Sequence, residues 1–222
     1  MTQASLIDND VIIKISAYGL GDELQKAVTG TAAGPPAMLG VGRFVVRDRL
    51  ARAGWIPDPK AALVAFEALL SSLVLLEPTQ DELAIAAEFE SAATRRNLEL
   101  DGGESQLLTI LLVRECKVLL TGDKRAIRAI AGIATAPAQG KLACLEQVLS
   151  DIASRSDIEE MRQKICRAPK ADMAASICFS CSSKVSVSRA KIIEGLESYT
   201  NHLRADGAGT LLKSADLSAL TS

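Results

Sequence analysis

The chain has 222 residues, 48% of them hydrophobic, which is enough to bury a sizeable core in one large domain or in one domain with an appendage. A formal net charge of −2 excludes a strongly basic surface, so contact with nucleic acid would need a local basic patch. Aromatic residues make up only 3%, which argues against base-stacking platforms of the RRM or OB-fold kind.

Cysteine usage and hydropathy bear on the compartment. Five cysteines, an odd number, follow an N-terminus, "MTQASLIDND", that does not resemble a signal peptide. We therefore expect reduced thiols in a cytoplasmic protein. The apolar stretch "AALVAFEALLSSLVLLEP" contains Glu67 and ends at Pro78, and it predicts no membrane span.

The first hundred residues predict short strands among helices. Apolar residues at helical spacing, a proline after Asp58 and a Thr79–Glu82 capping box support the helices. In chain order we expect a strand at 4–10, a helix over 11–28, a loop at 29–37, helices over 38–54 and 58–73, a strand at 74–78 and a helix over 79–97.

The segment that follows alternates regularly. We predict a helix over 101–116, a buried strand over 117–123 and a helix over 124–132. Strands linked by helices in this way predict a parallel α/β sheet with crossover helices, in a helix-rich chain.

Beyond about residue 137 the strand pattern fades and helices predominate. We expect helices over 141–154, 157–168 and 188–205. The predicted organisation is a domain at 1–138, a helical C-terminal extension at 139–204 and a flexible tail at 205–222.

Acidic side chains follow the two best-defined strands. Asp8 and Asp10 come after the first strand, and Asp123 ends "VLLTGD". Parallel strands point the same way, so these acids should meet at the carboxyl edge of the sheet. Glu104 begins a helix after two glycines, on a loop that can return to this edge. Such an oxygen-rich site predicts Mg²⁺ or Mn²⁺.

These motifs resemble the PIN-domain family of metal-dependent ribonucleases. "SLIDNDVIIKI" is similar to the opening strand and helix of PIN domains, and "LDGGESQLLTILLVRECKVLLTGDKRAIRAIAG" is similar to their Gly-Glu helix and Thr-x-Asp strand end. "VGRFVVRDRL" fits the helix of the family's second acid, with Asp48 in place of the commoner Glu. The resemblance covers about residues 4–138 and implies a three-layer α/β/α fold with a central, mostly parallel sheet.

The resemblance also implies a function. The chain would be an endoribonuclease that hydrolyses single-stranded RNA through a carboxylate-bound Mg²⁺ or Mn²⁺, as the toxin of a toxin–antitoxin pair. The partners would be RNA, an antitoxin protein and a second copy in a homodimer. The implied catalytic residues are Asp8, Asp48, Glu104 and Asp123, and the implied metal ligands are Asp8, Asp10, Glu104 and Asp123.

Basic residues flank two of these acids. Arg43, Arg47, Arg49 and Arg52 share the predicted helix of Asp48, while Lys124, Arg125 and Arg128 follow Asp123. They suggest a phosphate track around an acidic centre. The predicted phosphate contacts are Arg43, Arg47, Lys124 and Arg125.

Other interpretations stay open. "LIDNDVI" with "LLTGD" is also similar to haloacid-dehalogenase-like phosphatases, with Asp8 as nucleophile and Asp10 as acid. A third interpretation is a catalytically degenerate PIN-like scaffold that binds RNA or protein. Singly, Asp10 and Asp123 could cap helices, and Glu104 could be an ordinary first-turn acid.

The remaining cysteines offer a weaker zinc hypothesis. Cys178 and Cys181 form a C-x-x-C pair, with Cys166 upstream and His202 downstream, but the second close pair of a zinc site is missing. Cysteines in apolar helices more often fill the core.

Overall fold

A computed structural model describes residues 4–29, 34–183, 185–213 and 217. The strands are β1 (Ser5–Ile7), β2 (Ala37–Leu39), β3 (Val74–Leu76), β4 (Val118–Thr121) and β5 (Leu142–Cys144). The helices are α1 (Asn9–Tyr18), α2 (Gly21–Val28), α3 (Gly42–Arg52), α4 (Pro59–Leu70), α5 (Gln80–Arg95), α6 (Gly102–Val113), α7 (Lys124–Ile133), α8 (Leu145–Arg155), α9 (Ile158–Arg167), α10 (Met173–Cys178) and α11 (Arg189–Asp206).

The five strands form one parallel sheet in the order β3-β2-β1-β4-β5. The predicted fold class, a helix-rich α/β protein with a parallel central sheet, is therefore confirmed. The chain begins in the middle of the sheet, builds outward to β3, and then crosses back to place β4 against the other side of β1. The direction of winding reverses between β1 and β4, and such a switch point leaves a crevice at the carboxyl ends of the two strands.

Alternating strand residues divide the core into two layers. Ile7 and Leu120 point to one face, where they pack against α1, α4, α8 and α11. Leu6 and Leu119 point to the other face, where α6 and α7 cover them. Helices on both faces of a parallel sheet give the expected three layers, and both sides of each central strand are buried.

Two short strands were predicted as parts of helices. β2 spans the last residue of the predicted loop over 29–37 and the first two of the predicted helix over 38–54, and β5 lies inside the predicted helix over 141–154. Each of these strands has three residues, too few to show the alternation of a strand, and the apolar residues of each also fit the helical spacing of the helix that follows. The predicted helix over 11–28 is likewise two helices, because Gly19 ends α1 in the left-handed conformation at φ 66°.

The structure does not divide at residue 138. β5 pairs with β4 over Leu119–Leu142 to Thr121–Cys144, so the sheet continues past the predicted domain boundary. The described part of the predicted tail is also packed: Leu211 forms a bridge with Leu142, and Leu217 is fully buried. Residues 214–216 and 218–222 of that tail, and 30–33 of the predicted loop, lie outside the described residues.

The cysteines differ from the expectation of reduced thiols. Cys166 and Cys181 form a disulfide across a sequence separation of 15 residues, since α9 and the turn after α10 bring their Cα atoms to 5.0 Å. Cys116, Cys144 and Cys178 are unpaired and buried. Two of the three cysteines that the zinc hypothesis requires are therefore joined to each other and are not thiolate ligands. Within the described ranges, no helix combines the length and apolar character that crossing a bilayer requires.

Candidate functional site

Asp8 and Asp123 lie at the switch point between β1 and β4. The Asp8 backbone N–H donates to the Leu120 carbonyl at 2.9 Å, which extends the ladder by one residue. The Thr121 hydroxyl donates to Asp8 Oδ2 at 3.2 Å, and the same hydroxyl oxygen accepts from the Asp123 backbone N–H at 3.2 Å. Thr121 therefore fixes both acids relative to the strand ends.

Glu104 reaches this point from the first turn of α6. Its backbone N–H donates to Asp101 Oδ1 at 2.8 Å, while its Oε2 accepts from the Asp101 backbone N–H at 2.9 Å. This reciprocal capping box holds the glutamate close to the helix start. Glu104 is only 8% exposed.

These acids line one cavity of about 520 Å³ at the carboxyl edge of the sheet. We call this cavity the acidic cleft and define it by five carboxylates: Asp8, Asp10, Asp101, Glu104 and Asp123. Asn9 and Gln106 add amide groups, and Val41 and Val45 form an apolar rim. The structure therefore brings Asp8, Glu104 and Asp123 together in one cavity, as predicted.

Burial and mutual repulsion act on two of the five acids. Burial raises the pKa of Asp8 to about 7, with a further increase from the charge of Asp10 and a smaller one from Asp101. Burial also raises the pKa of Glu104 to about 8, assisted by Asp101, Asp8 and Asp123. The neighbouring N–H and hydroxyl donors offset these effects only in part, so the cleft favours the approach of a cation.

Asp123 has a different environment. Burial acts to raise its pKa, but hydrogen bonds from the Arg125 side chain and backbone outweigh burial, and the pKa is lowered. Arg125 donates from Nη2 to Oδ2 at 2.7 Å and from Nε to Oδ1 at 3.2 Å, and it also pairs with Glu99. A cation bound at Asp123 would share this carboxylate with Arg125 or displace the guanidinium.

Asp10 is paired within the protein. Lys14 Nζ lies 2.7 Å from Asp10 Oδ2 and 3.1 Å from Asp172 Oδ2, and the Lys14 side chain is only 13% exposed. Gly122, directly after β4, lies so close to Asp10 Oδ2 that a Cβ there would push the Asp10 carboxylate out of its place. Asp10 therefore lines the cleft but is held by a buried lysine. The first helix is capped by Asp8, not by Asp10, because the Asp8 side chain accepts from the Asn9 N–H.

The structure does not bring Asp48 to the acidic cleft. Asp48 is exposed on α3 and pairs with Arg52 one turn away at 2.8 Å. The buried face of α3 carries Val46 and Leu50, and Asp48 lies between them in sequence, on the outer side of the helix. From this segment, only the rim residues Val41 and Val45 reach the cleft.

Of the four predicted phosphate contacts, three are paired with carboxylates in the described part of the chain and one, Arg43, is not. Arg43 is half-buried beside the rim. Arg47 makes a bidentate pair with Glu67 at 2.6 and 2.8 Å, and Arg125 is held by Asp123. Lys124 turns inward, 2.8 Å from the buried Glu146 carboxylate. Three of the four cations are therefore already neutralised by carboxylates.

Asp101 and Lys14 are the site residues that the sequence analysis missed. The spacing Asp101-Gly-Gly-Glu104 is a capping-box pattern and was sufficient to find Asp101. Lys14 follows Asp10 at i+4, which suggests an ion pair, but its second partner Asp172 is 158 residues away and leaves no sequence signal.

Comparison of the chain with protein-family models, with curated proteins and with solved structures found no match. Among the described residues, no three His, Cys, Asp or Glu side chains already stand in the arrangement of a formed metal centre. The role of the acidic cleft must therefore be inferred from its own geometry and charge.

Proposed function

We propose that the chain is a divalent-metal-dependent ribonuclease that hydrolyses single-stranded RNA in the acidic cleft. The observation that carries this proposal is the convergence of separate parts of the chain on one cavity: Asp8 after β1, the Asp101–Glu104 capping box of α6, and Asp123 after β4. The cleft holds more carboxylates than cations to balance them. Carboxylate oxygens are the ligands that Mg²⁺ and Mn²⁺ prefer.

The residues fit such an ion in defined ways. Asp8, Asp101 and Glu104 would hold the ion, and Asp123 would become a further ligand by sharing its carboxylate with Arg125 or displacing the guanidinium. When bound, the ion supplies an activated water and shields the negative charge that develops on the phosphate. Thr121 orients Asp8, and the capping box orients Glu104. Because burial raises the pKa of Glu104 to about 8, uptake of a cation by this carboxylate would be favoured as pH rises.

Three substitutions test this proposal by cleavage of a labelled single-stranded RNA with Mn²⁺. Asp8→Asn and Asp123→Asn each remove one cleft charge at constant shape, and each should lower the cleavage rate about a hundredfold or more. Asp48→Asn is the matched control, since this exposed acid lies outside the cleft, and its rate should equal that of the parent. Circular dichroism would check that all three variants fold. If Asp8→Asn and Asp123→Asn cut as fast as the parent, the assignment is wrong.

A second candidate is the degenerate scaffold, and one observation favours it: Arg125 occupies both oxygens of Asp123. In a scaffold this pair would be permanent, and the cleft would not take up a metal. Calorimetric titration with Mn²⁺ separates the two functions, because a nuclease should bind the ion and Asp8→Asn should weaken that binding. No binding by the parent chain would favour the scaffold.

The phosphatase interpretation requires Asp10 to act as an acid beside Asp8. In the structure the Asp10 carboxylate is instead held by Lys14 Nζ at 2.7 Å, so it is already engaged within the protein and would have to leave this ion pair to reach a substrate. Release of phosphate from a generic aryl phosphate is the assay that would support this function over RNA cleavage.

The biological setting is likewise a proposal. The resemblance to PIN toxins suggests an antitoxin protein that covers the cleft, a homodimer and a cytoplasmic location. The Cys166–Cys181 disulfide weighs against the last of these, since disulfides persist mainly in oxidising compartments.

A further inference from the structure

An exposed apolar ridge borders the acidic cleft where α3 begins. Val41, Phe44 and Val45 are 57%, 57% and 50% exposed. Val41 and Val45 line the cleft itself, and Phe44 lies next to them, its backbone N–H donating to the Val41 carbonyl at 3.1 Å. We call these three residues the α3 ridge. Large apolar side chains grouped at the mouth of a charged cavity commonly mark a binding surface.

Ion pairs border the cleft on the side of β5. Lys14 joins Asp10 to Asp172, and Lys124 joins the end of β4 to Glu146, which is only 2% exposed. Lys124 Nζ also lies 5.4 Å from the centre of the Tyr199 ring of α11. The C-terminal half of the chain therefore fills the crevice beside β5. A long polymer lying across the cleft can extend over the α3 ridge on one side, and on the other along a neighbouring cavity of about 330 Å³ that shares Asp101, Glu104 and Asp123 with the cleft.

The charges around the ridge suit a polyanion. The Arg43 guanidinium lies 4.7 Å from the centre of the Phe44 ring. No carboxylate of the described residues forms an ion pair with Arg43 or with the exposed Arg49 of the same helix. An exposed aromatic ring beside uncompensated arginines meets the two needs of a single nucleic-acid strand, which are a surface for a base and cations for phosphates.

We propose that Phe44 is a base-stacking platform for single-stranded RNA bound across the acidic cleft. This inference rests on the proposed nuclease function for the choice of ligand. One base would stack on the face of the Phe44 ring opposite Arg43, and Arg43 and Arg49 would contact the neighbouring phosphates. Because any base can stack, this contact would position the strand without selecting a sequence.

The experiment measures strand binding without hydrolysis. Fluorescence anisotropy in EDTA would compare a short labelled single-stranded RNA of mixed sequence with an abasic strand of equal length and charge. Phe44→Ala should weaken binding of the RNA about tenfold and leave binding of the abasic strand unchanged. Phe44→Leu should behave as Phe44→Ala, while Phe44→Tyr, which keeps an aromatic ring, should bind as the parent does.

Val113→Ala is the matched control. Val113 is 51% exposed at the far end of α6, roughly 14 Å along the helix from Glu104. Its truncation to alanine should change the binding of neither the RNA nor the abasic strand. Equal losses for both strands, or none for either, would overturn the inference. So would sedimentation showing a parent dimer that Phe44→Ala dissociates, since the ridge would then bind a second copy of the chain.

The outcomes separate this inference from the proposed function. A parent chain that cleaves RNA with Mn²⁺ but binds the strand with no dependence on Phe44 overturns the stacking platform alone. A parent chain that binds the strand through Phe44 but shows no cleavage with any divalent metal supports the platform and overturns the nuclease.

Discussion

Asp8 and Glu104 are buried acids that the surrounding chain compensates only in part. Asp8 accepts one backbone and one hydroxyl hydrogen bond, and Glu104 accepts one backbone hydrogen bond, yet both pKa values lie well above the ordinary 3.8 and 4.5. The folded chain therefore binds protons that the unfolded chain releases. This difference makes the stability of the protein depend on pH when no divalent cation is present.

The sign of this dependence is the opposite of that for a salt-bridged acid. The contribution to stability is fully present below the unfolded pKa values of 3.8 and 4.5, and it is lost as pH rises through about 7 for Asp8 and about 8 for Glu104. We expect the free energy of unfolding in EDTA to fall over this range. Urea unfolding at a series of pH values measures it.

Asp8→Asn isolates the contribution of one acid. At pH 8 in EDTA the amide should make the protein more stable than the parent by about 1 kcal/mol or more, because it removes a buried charge. Glu88→Gln, an exposed acid on α5, is the control and should leave the pH profile unchanged. A parent profile that is flat between pH 5 and pH 8 in EDTA would contradict the raised pKa values.

At this scale the sequence predicted that three acids would lie together, and it missed other residues around them. Asp8, Glu104 and Asp123 were found because each stands at a strand end or helix start, where local pattern and topology coincide. Asp48 was misplaced, since the direction of a helical side chain depends on which face of α3 is buried. The sequence did not predict the ion pair of Asp123 with Arg125, because side chains two residues apart can point toward or away from each other.

Among the elements, the short strands β2 and β5 and the short helix α10 show where the sequence signal ended. Helices α4 to α7 follow clear capping and apolar patterns and were predicted within a few residues. β2 and β5 are short and take their identity from pairing with β1, β3 and β4, which is tertiary information. The packing of α10 beside the cleft was not predictable for the same reason.

The contact between α1 and the start of α10 is the element-scale feature that can be tested most directly. Lys14 of α1 is buried between Asp10 and Asp172, and Asp172 also caps α10 through the Ala175 N–H at 3.0 Å. Lys14→Met would leave two carboxylates close together without a cation. We expect a loss of about 3 kcal/mol in the free energy of unfolding, measured with urea at pH 7.

Two further variants check the cause of that loss. Asp172→Asn keeps an oxygen for the helix cap and leaves Lys14 paired with Asp10, so it should cost only about 1 kcal/mol. Added to Lys14→Met, it should recover part of the stability by removing one of the two repelling charges. Lys60→Met, at an exposed position of α4, should have little effect. A Lys14→Met protein as stable as the parent would show that the pair contributes nothing.

For the molecule as a whole, the order of the strands explains why distant acids meet. β1 and β4 are neighbours although more than a hundred residues separate them, and the reversal of winding between them opens the crevice that holds the acidic cleft. The sequence predicted a parallel sheet and a meeting of acids at its carboxyl edge. It did not predict that residues beyond 138 complete the sheet and border one side of the cleft.

Truncation after residue 138 tests whether the first part of the chain folds alone. The shortened chain would lose β5 and the apolar faces of α8 and α11, which pack on the sheet through Val148, Ile152 and Leu196. The edge of β4 and a large apolar surface would be exposed. We therefore expect no cooperative thermal transition and strong binding of a hydrophobic dye, whereas the full chain should unfold in one sharp step. A cooperative transition of the 1–138 fragment, with the urea dependence expected for its size, would show instead that β5 and the helices after it are an appendage to a self-sufficient domain.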